Sequence, residues 1–250
     1  GPAGTPVRQV ALVFAYDADW VTQIQPQGAG LSALWASFAC YSALRQLGLN
    51  IDIVPPTAPL DGYAMVVVPC LPIVPDALVA ALDRFSGPIV IGPRSGSRDT
   101  DFAIPEALPP GPLQALFPAK VVRVESLRPG LTHAGDGWEI ARWREDLETS
   151  STLELSARDG TPACWQHRNL RYLAAWPEQG LAKTVLSRAA AEAGLAIHDL
   201  PKGLRLRRAG NRTFAFNYGA QAVELPASLA GRPTLGEWQL PPAGVAVLED

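Results

Sequence analysis

The chain has 250 residues, of which 48% are hydrophobic and 18% are charged, and its formal net charge is -3 at pH 7. This length allows one large domain or a domain with a smaller attachment, and the composition is that of a soluble globular protein. The charge provides no overall basic field and the apolar runs are too short to span a bilayer, so we expect neither nucleic acid nor a membrane as a partner.

The N-terminus and the cysteines bear on the origin and location of the chain. The opening GPAGT lacks Met and any signal-peptide pattern, which indicates a tag remnant or the start of an excised fragment. Cys40, Cys70 and Cys164 are an odd set in separate contexts, which favours a reducing, cytoplasmic compartment over a disulfide framework. Cys40 and Cys70 are predicted to be small core side chains.

The first predicted elements are a strand and a helix joined by a polar loop. The apolar run VRQVALVF predicts a strand over residues 7–14, and the loop after it contains the segment YDADW. A helix then ends near Gly48, a typical position for a C-terminal glycine. Its predicted buried face consists of Leu31, Leu34, Trp35, Phe38 and Tyr41.

Strands and helices alternate up to residue 91. Strands are predicted over 51–54, 65–68 and 88–91, and a helix with Leu78, Leu82 and Phe85 on one face precedes the last of them. This alternation predicts an α/β fold in the flavodoxin-like style. Such a fold has a parallel sheet, right-handed crossovers and helices on both faces.

The pattern is weaker between residues 98 and 130, where five prolines from Pro105 to Pro118 predict an ordered loop with a short helix. Further strands are predicted over 121–124, 138–143, 153–155 and 170–175, with Trp138 and Trp143 in the core, and a last helix over 181–193. After Pro201, short alternating segments around turns predict a small antiparallel β unit. We therefore expect two domains, residues 1–200 and 201–250.

The turn GPRSG at 92–96 follows a predicted strand, where many α/β enzymes place a nucleophile. Class I glutamine amidotransferases have Gly-x-Cys-x-Gly there, and this chain has Arg94 at the cysteine position. Arginine stays protonated and cannot attack a carbonyl carbon. The turn is therefore predicted to be a degenerate nucleophile elbow, with Ser95 one residue away from the nucleophile position.

Other chemistries find little support in the sequence. The histidines His133, His167 and His198 are expected to be structural, and no phosphate-binding or metal-ligand spacing occurs. Glu145 and Glu148, in the polar stretch REDLETS, are interpreted as a solvated face rather than a catalytic pair. We therefore predict no catalytic residue, no cofactor and no metal site.

Several stretches together resemble the carboxyl-terminal part of the β-galactosidases of glycoside hydrolase family 42. They are IQPQGAGL, VVVPCLPIV, IVIGPRSGSRDTDF, IPEALPPGPLQALF, VVRVESLRPG, LAAWPEQGL and TFAFNYGAQAVEL, which span the chain from about residue 7 onward. The resemblance implies a class I glutamine amidotransferase-like trimerization domain followed by a small β domain. It also implies a bacterial cytoplasmic parent enzyme that hydrolyses β-galactosides.

In that family a separate barrel carries both catalytic glutamates, and a barrel needs about 250 residues, so this chain is expected to lack it. The resemblance implies a non-catalytic role in a homotrimer, close to a neighbouring barrel. We predict an interface containing Tyr16, Asp17, Trp20, Arg94 and Arg98. Packing of Trp20 within its own domain, and ion pairs of the arginines within the chain, are the alternatives.

Two other functions stay open at this point. A degenerate amidotransferase-like hydrolase would need Ser95, Cys70 or Cys164 within hydrogen-bond reach of a histidine. A carbohydrate-binding accessory module would need an exposed pair of aromatic faces.

Overall fold

The structure is a computed structural model, and it describes residues 7–249. The interpretation of the opening GPAGT falls on residues outside this range. In the described part of the chain, no helix combines the length and the apolar character needed to cross a membrane.

Residues 7–91 contain four strands and three helices. In chain order they are β1 (Val10–Val13), α1 (Tyr16–Ile24), α2 (Ala33–Gln46), β2 (Ile51–Val54), β3 (Met65–Val68), α3 (Asp76–Arg84) and β4 (Ile89–Ile91). The predicted alternation of strands and helices is confirmed for this part of the chain.

The middle of the chain begins with a 3-10 helix at Gly111–Ala115, in the predicted proline-rich loop. The elements after it are β5 (Ala119–Ser126), β6 (His133–Ala134), β7 (Glu139–Ile140), β8 (Trp143–Thr149), β9 (Thr152–Ser156), β10 (Pro162–His167), β11 (Leu170–Leu173) and α4 (Gln179–Glu192).

The tail is an all-β segment, as predicted. It contains β12 (Leu204–Ala209), β13 (Arg212–Asn217), β14 (Val223–Glu224), β15 (Arg232–Leu235), β16 (Gln239–Leu240) and β17 (Val245–Glu249). Four of these strands form an antiparallel sheet in the order β12-β13-β17-β15.

The central sheet has seven strands in the order β2-β1-β3-β4-β11-β10-β9. The first five are parallel, and β10 and β9 extend the sheet in antiparallel pairing. The parallel strands are mostly apolar because helices cover both of their faces. This arrangement confirms the predicted α/β class and adds an antiparallel edge that the sequence pattern does not predict.

Alternate residues of the strands enter two separate cores. Val10 and Leu12 of β1 pack with α2 and α4 on one face, whereas Ala11 and Val13 pack with α3 and the 3-10 helix on the other. Trp138 and Trp143 are buried as predicted, one in each core. The carboxyl edge of the parallel strands, where the elbow turn lies, is therefore fixed from both sides.

Two predictions about the first helices are wrong. The segment YDADW is the start of α1 rather than a loop, and Asp17 and Asp19 in its first turn match the positive end of the helix dipole. In α2 the buried residues are mainly small ones, including Ala36, Cys40 and Ala43, while Leu34, Trp35 and Phe38 are exposed. Small side chains face inward because α2 packs closely against α4 and the sheet.

The tail sheet is joined to the α/β part by hydrogen bonds around Asn50. Its side-chain amide donates to the carbonyl oxygens of Val7 at 2.9 Å and Arg208 at 2.8 Å, and its side-chain oxygen accepts from the Arg208 amide at 3.1 Å. Arg45 of α2 donates to the Leu206 carbonyl oxygen at 2.7 Å. The tail therefore rests on the start of the parallel sheet and on the end of α2.

Candidate functional site

The turn after β4 requires glycine at both of its ends. A Cβ atom on Gly92 would lie 1.8 Å from the Pro69 carbonyl oxygen, and one on Gly96 would lie 2.0 Å from the Pro110 carbonyl oxygen. Gly96 also has a φ of +67°. The turn is thus wedged between the loop after β3 and the proline-rich loop, which explains the glycine spacing seen in the sequence.

Arg94 sits at the tip of this turn with a φ of 64°, in the left-handed region that non-glycine residues rarely adopt. A strained residue between two glycines at the end of a buried strand is the backbone arrangement of a nucleophile elbow. The backbone therefore supports the proposal that Arg94 occupies a degenerate nucleophile position.

The side chain of Arg94 turns inward and is only 2% exposed. Its guanidinium donates to the carbonyl oxygens of Gln25 at 2.9 Å and Pro26 at 3.1 Å, at the end of α1, and it lies 5.6 Å from the centre of the Trp143 ring. Arg98, also buried, donates to the Gln25 side-chain oxygen at 2.5 Å. Both arginines fix the end of α1, so any part they play in an interface is indirect.

The interpretation of Glu145 as part of a solvated face is wrong. Its side chain is buried, and one carboxylate oxygen accepts from the Arg94 backbone amide at 2.9 Å and from the Trp143 indole at 3.0 Å. The other oxygen accepts from the Tyr172 hydroxyl at 2.6 Å. The polar composition of REDLETS does not reveal that Glu145 is buried, because successive residues of strand β8 point alternately to a buried and an outer face.

Burial dominates the electrostatics around the elbow. It raises the pKa of the Glu145 carboxyl above its ordinary value, although the bonds from Tyr172 and Trp143 act in the opposite direction. Burial lowers the pKa of the Arg94 guanidinium and raises that of the Cys70 thiol to about 12. The elbow therefore contains a structural network of polar groups around a buried carboxyl.

The candidate nucleophiles are not paired with a histidine in the described part of the chain. Ser95 donates its hydroxyl to the Gly92 carbonyl oxygen at 2.9 Å and accepts from the Leu71 amide at 3.2 Å. Within residues 7–249, no hydrogen bond joins Ser95, Cys70 or Cys164 to a histidine. His133 instead contacts the Asp159 carboxylate at 2.7 Å, and His198 contacts the Ser228 hydroxyl at 2.8 Å. The geometry required for the hydrolase alternative is therefore missing from this part of the chain.

A second feature is an exposed apolar surface on α1 and α2, which we call the aromatic helix surface. Trp20 is 55% exposed and Trp35 is 62% exposed, although tryptophan is usually largely buried. The surface consists of Tyr16, Trp20, Ile24, Leu34, Trp35 and Phe38. Tyr16 and Trp20 belong to the interface predicted from the sequence, whereas Leu34, Trp35 and Phe38 are predicted to be buried and are exposed instead.

Polar contacts hold the two helices of this surface together. The Asp19 carboxylate accepts from the Ser32 hydroxyl at 2.8 Å and from the Leu34 amide at 3.2 Å. The Thr22 hydroxyl accepts from the Ala33 amide at 3.0 Å. Asp17, which is half-buried, accepts from the adjacent Ala18 amide at 2.7 Å. The surface is thus a preformed feature of the α1–α2 pair.

Comparison with known proteins shows the class and the family. The family model described as the beta-galactosidase trimerisation domain matches residues 8–196. The beta-galactosidase of Thermus thermophilus is 51% identical over 98% of this chain, and the Bga beta-galactosidase of Halorubrum lacusprofundi is 32% identical over 87%. The crystal structure of a beta-galactosidase from the psychrophilic Marinomonas ef1 superposes with a TM-score of 0.93 at 34% identity, over 99% of this chain.

The class is a glutamine amidotransferase-like α/β domain with a small antiparallel sheet. The chain belongs to the trimerisation-domain family of the glycoside hydrolase family 42 β-galactosidases. It spans 39% of the Thermus thermophilus relative and 38% of the Marinomonas chain. The resemblance stated from the sequence is thereby confirmed.

Proposed function

We propose that this chain is the subunit-association part of a homotrimeric β-galactosidase and takes no direct part in sugar cleavage. Residues 1–200 would form the trimerisation domain and residues 201–250 a small C-terminal domain, a division that the family match over 8–196 supports. The parent enzyme would hydrolyse β-galactosides in the cytoplasm through its remaining part.

The observation that carries this proposal is the aromatic helix surface. Six large apolar side chains exposed on two consecutive helices are typical of a protein interface, and aromatic residues are the most frequent anchors of such interfaces. Closed trimers use head-to-tail contacts, in which one patch meets a different patch of the neighbouring copy. The aromatic helix surface therefore faces a different surface of the neighbouring subunit, in this chain or in the rest of the enzyme.

The geometry of the aromatic pair favours an interface over a sugar platform. The Trp35 and Phe38 rings lie 5.7 Å apart at an interplanar angle of 86°, so they do not form one flat face. A sugar-binding platform needs coplanar exposed rings. Calorimetry with galactose and lactose is expected to give no saturable heat, and micromolar binding at this surface would instead favour the carbohydrate-binding alternative.

The test of association uses exposed substitutions and a matched control. Trp20→Ser and Trp35→Ser are expected to weaken self-association of the chain by about 2 kcal/mol or more each, the range of interface hot spots. Leu235→Ser, equally exposed but on the tail sheet, is expected to leave association unchanged. Analytical ultracentrifugation over a concentration series measures this, with circular dichroism to check folding. A wild-type chain that self-associates no more tightly than both tryptophan variants, or a control that dissociates as they do, would contradict the proposal.

A separate assay tests the absence of catalysis. We expect no hydrolysis of nitrophenyl galactoside by the purified chain, because the elbow has no nucleophile paired with a base in residues 7–249. Turnover that survives repeated purification, and that is lost on Ser95→Ala, would refute this expectation.

A further inference from the structure

A groove between α2 and the tail sheet has an unusual composition. Its volume is 560 Å³, and its lining residues are Tyr41, Arg45, Gly203, Arg205, Arg207, Phe216 and Tyr218. Three of these seven residues are arginines and none is a carboxylate. The groove shares no lining residue with the elbow turn or the aromatic helix surface.

The three arginines are not neutralised by the described part of the chain. Arg45 donates to the carbonyl oxygens of Leu49 at 2.8 Å and Leu206 at 2.7 Å, and Arg205 donates to that of Leu204 at 2.7 Å. Across residues 7–249, none of Arg45, Arg205 and Arg207 forms a salt bridge. Burial lowers the pKa of Arg45, and the positive charges of Arg205 and Arg207 lower it further. Three positive charges therefore line the same groove.

Next to these charges lie the aromatic rings of Phe216 and Tyr218. The rings of Phe216 and Tyr218 are close to parallel, at 28° with 6.2 Å between their centres, and Tyr218 is 75% exposed. An open ring beside guanidinium groups offers stacking and charge pairing to the same ligand.

We propose that this groove binds a phosphate or sulfate ester carried on a ring. Guanidinium groups of Arg205 and Arg207 would donate paired hydrogen bonds to the oxyanion, since their fork geometry matches its oxygens. Tyr218 would stack on the ring of the ligand. A sugar phosphate and a nucleotide share this chemistry, and the inference is independent of the proposed trimer.

Calorimetric titration of the chain at fixed ionic strength tests this with three probes: galactose 6-phosphate, AMP and inorganic phosphate. Both ring esters are expected to bind more tightly than inorganic phosphate if the groove accepts any ring that carries the oxyanion. If only one of the two esters binds more tightly, its ring is the one that the groove selects. Arg207→Gln is expected to weaken binding roughly tenfold to hundredfold, the usual effect of losing a charge-assisted hydrogen bond. Arg207→Lys is expected to retain part of the affinity.

Two further variants separate the groove from nonspecific attraction. Arg232→Gln removes an exposed arginine on β15, outside the groove, and is expected to leave binding unchanged. Tyr218→Ala is expected to weaken the ring esters and spare inorganic phosphate. The proposal is overturned if no probe gives a saturable heat, if Arg232→Gln matches the effect of Arg207→Gln, or if inorganic phosphate binds as tightly as both esters. Circular dichroism establishes that each variant is folded.

Discussion

At the residue scale, the elbow turn combines a strained backbone with a side chain that is bonded inside the fold. Arg94 has the left-handed φ expected of a nucleophile position, yet its guanidinium is bonded to the end of α1. Its backbone amide is bonded to the Glu145 carboxylate at 2.9 Å. The groups that a catalytic elbow offers to a substrate are here used to hold the fold together.

Glu145 provides the first residue-scale prediction. Its folded-state pKa is raised, so its contribution to stability is fully present below the ordinary glutamate pKa of about 4.3 and is lost as pH rises through the raised value. Glu145→Gln, which does not titrate, is therefore expected to gain stability relative to the wild type as pH increases from about 4 to 8. Denaturant unfolding at several pH values measures the difference, and a difference independent of pH would contradict it.

Glu145→Ala is the companion variant. It removes the acceptor for the Arg94 amide, the Trp143 indole and the Tyr172 hydroxyl. Buried donors without a partner cost about 1–3 kcal/mol each, so the loss of stability is expected to exceed 2 kcal/mol near pH 4 and to become smaller as pH rises. An alanine variant as stable as the glutamine variant would show that these bonds contribute little.

The cysteines give the second residue-scale prediction. Burial raises the pKa of both Cys40 and Cys70 to about 12, so both stay protonated and enclosed near neutral pH. Iodoacetamide is expected to label none of the three buried cysteines in the folded chain, and all of them in denaturant. Mass spectrometry gives the count. Rapid labelling of Cys70 in the native protein would revive the hydrolase alternative.

At the element scale, α1 links the elbow to the proposed interface. Its inner side is fixed by Asp19 and Thr22, its end is held by Arg94 and Arg98, and its outer side carries Tyr16, Trp20 and Ile24. We therefore propose that Arg94 positions the outer face of α1 without being part of it.

Arg94→Met tests this link. The variant keeps much of the side-chain volume but loses the hydrogen bonds to the Gln25 and Pro26 carbonyl oxygens. Each hydrogen bond from a charged group contributes about 1.5–3 kcal/mol, so the end of α1 is expected to be held less firmly. We expect faster amide exchange in α1 and weaker self-association. Arg123→Met, with a largely exposed side chain, is the control. If exchange in α1 rises while association is unchanged, the outer face of α1 is not part of the interface.

At the scale of the whole molecule, the two sheets are coupled through few residues. Asn50 bonds to both Val7 and Arg208, and Arg45 bonds to Leu206. The tail has its own small core, which includes Leu204, Ala215 and Leu248. A segment of this size gains much of its stability from the domain on which it rests.

Asn50→Ala is expected to destabilise the chain by about 2 kcal/mol or more, because it removes three partly shielded hydrogen bonds between the Asn50 side chain and the backbone of Val7 and Arg208. Protection from amide exchange should fall first in β12. Gln221→Ala, at an exposed position in the tail, should change neither quantity. Denaturant unfolding and hydrogen exchange measure both, and uniform loss of protection across the chain would argue against a separable tail.

Much of the fold follows from local pattern. The parallel strands are short apolar runs between turn residues, and helix ends such as Gly48 and Gly194 are marked by glycines with positive φ. The antiparallel edge formed by β10 and β9 is not predicted, because PACWQH lacks clear alternation and depends on pairing with β11.

Some features of the candidate site can also be predicted from the sequence, and others cannot. The glycines of the elbow and the arginine at its tip are visible in the sequence because the turn needs them locally. Burial of Glu145 and exposure of Trp35 and Phe38 are not visible, because each depends on which face of an element meets its neighbours.

The α/β class, the family and the presence of Arg94 between two glycines follow from the sequence alone, since they depend on residue identity and spacing along the chain. Long-range packing places a polar glutamate inside, large aromatic residues outside and three arginines around one groove. Helical and strand periodicity define two faces of an element, but long-range packing selects the one that is buried.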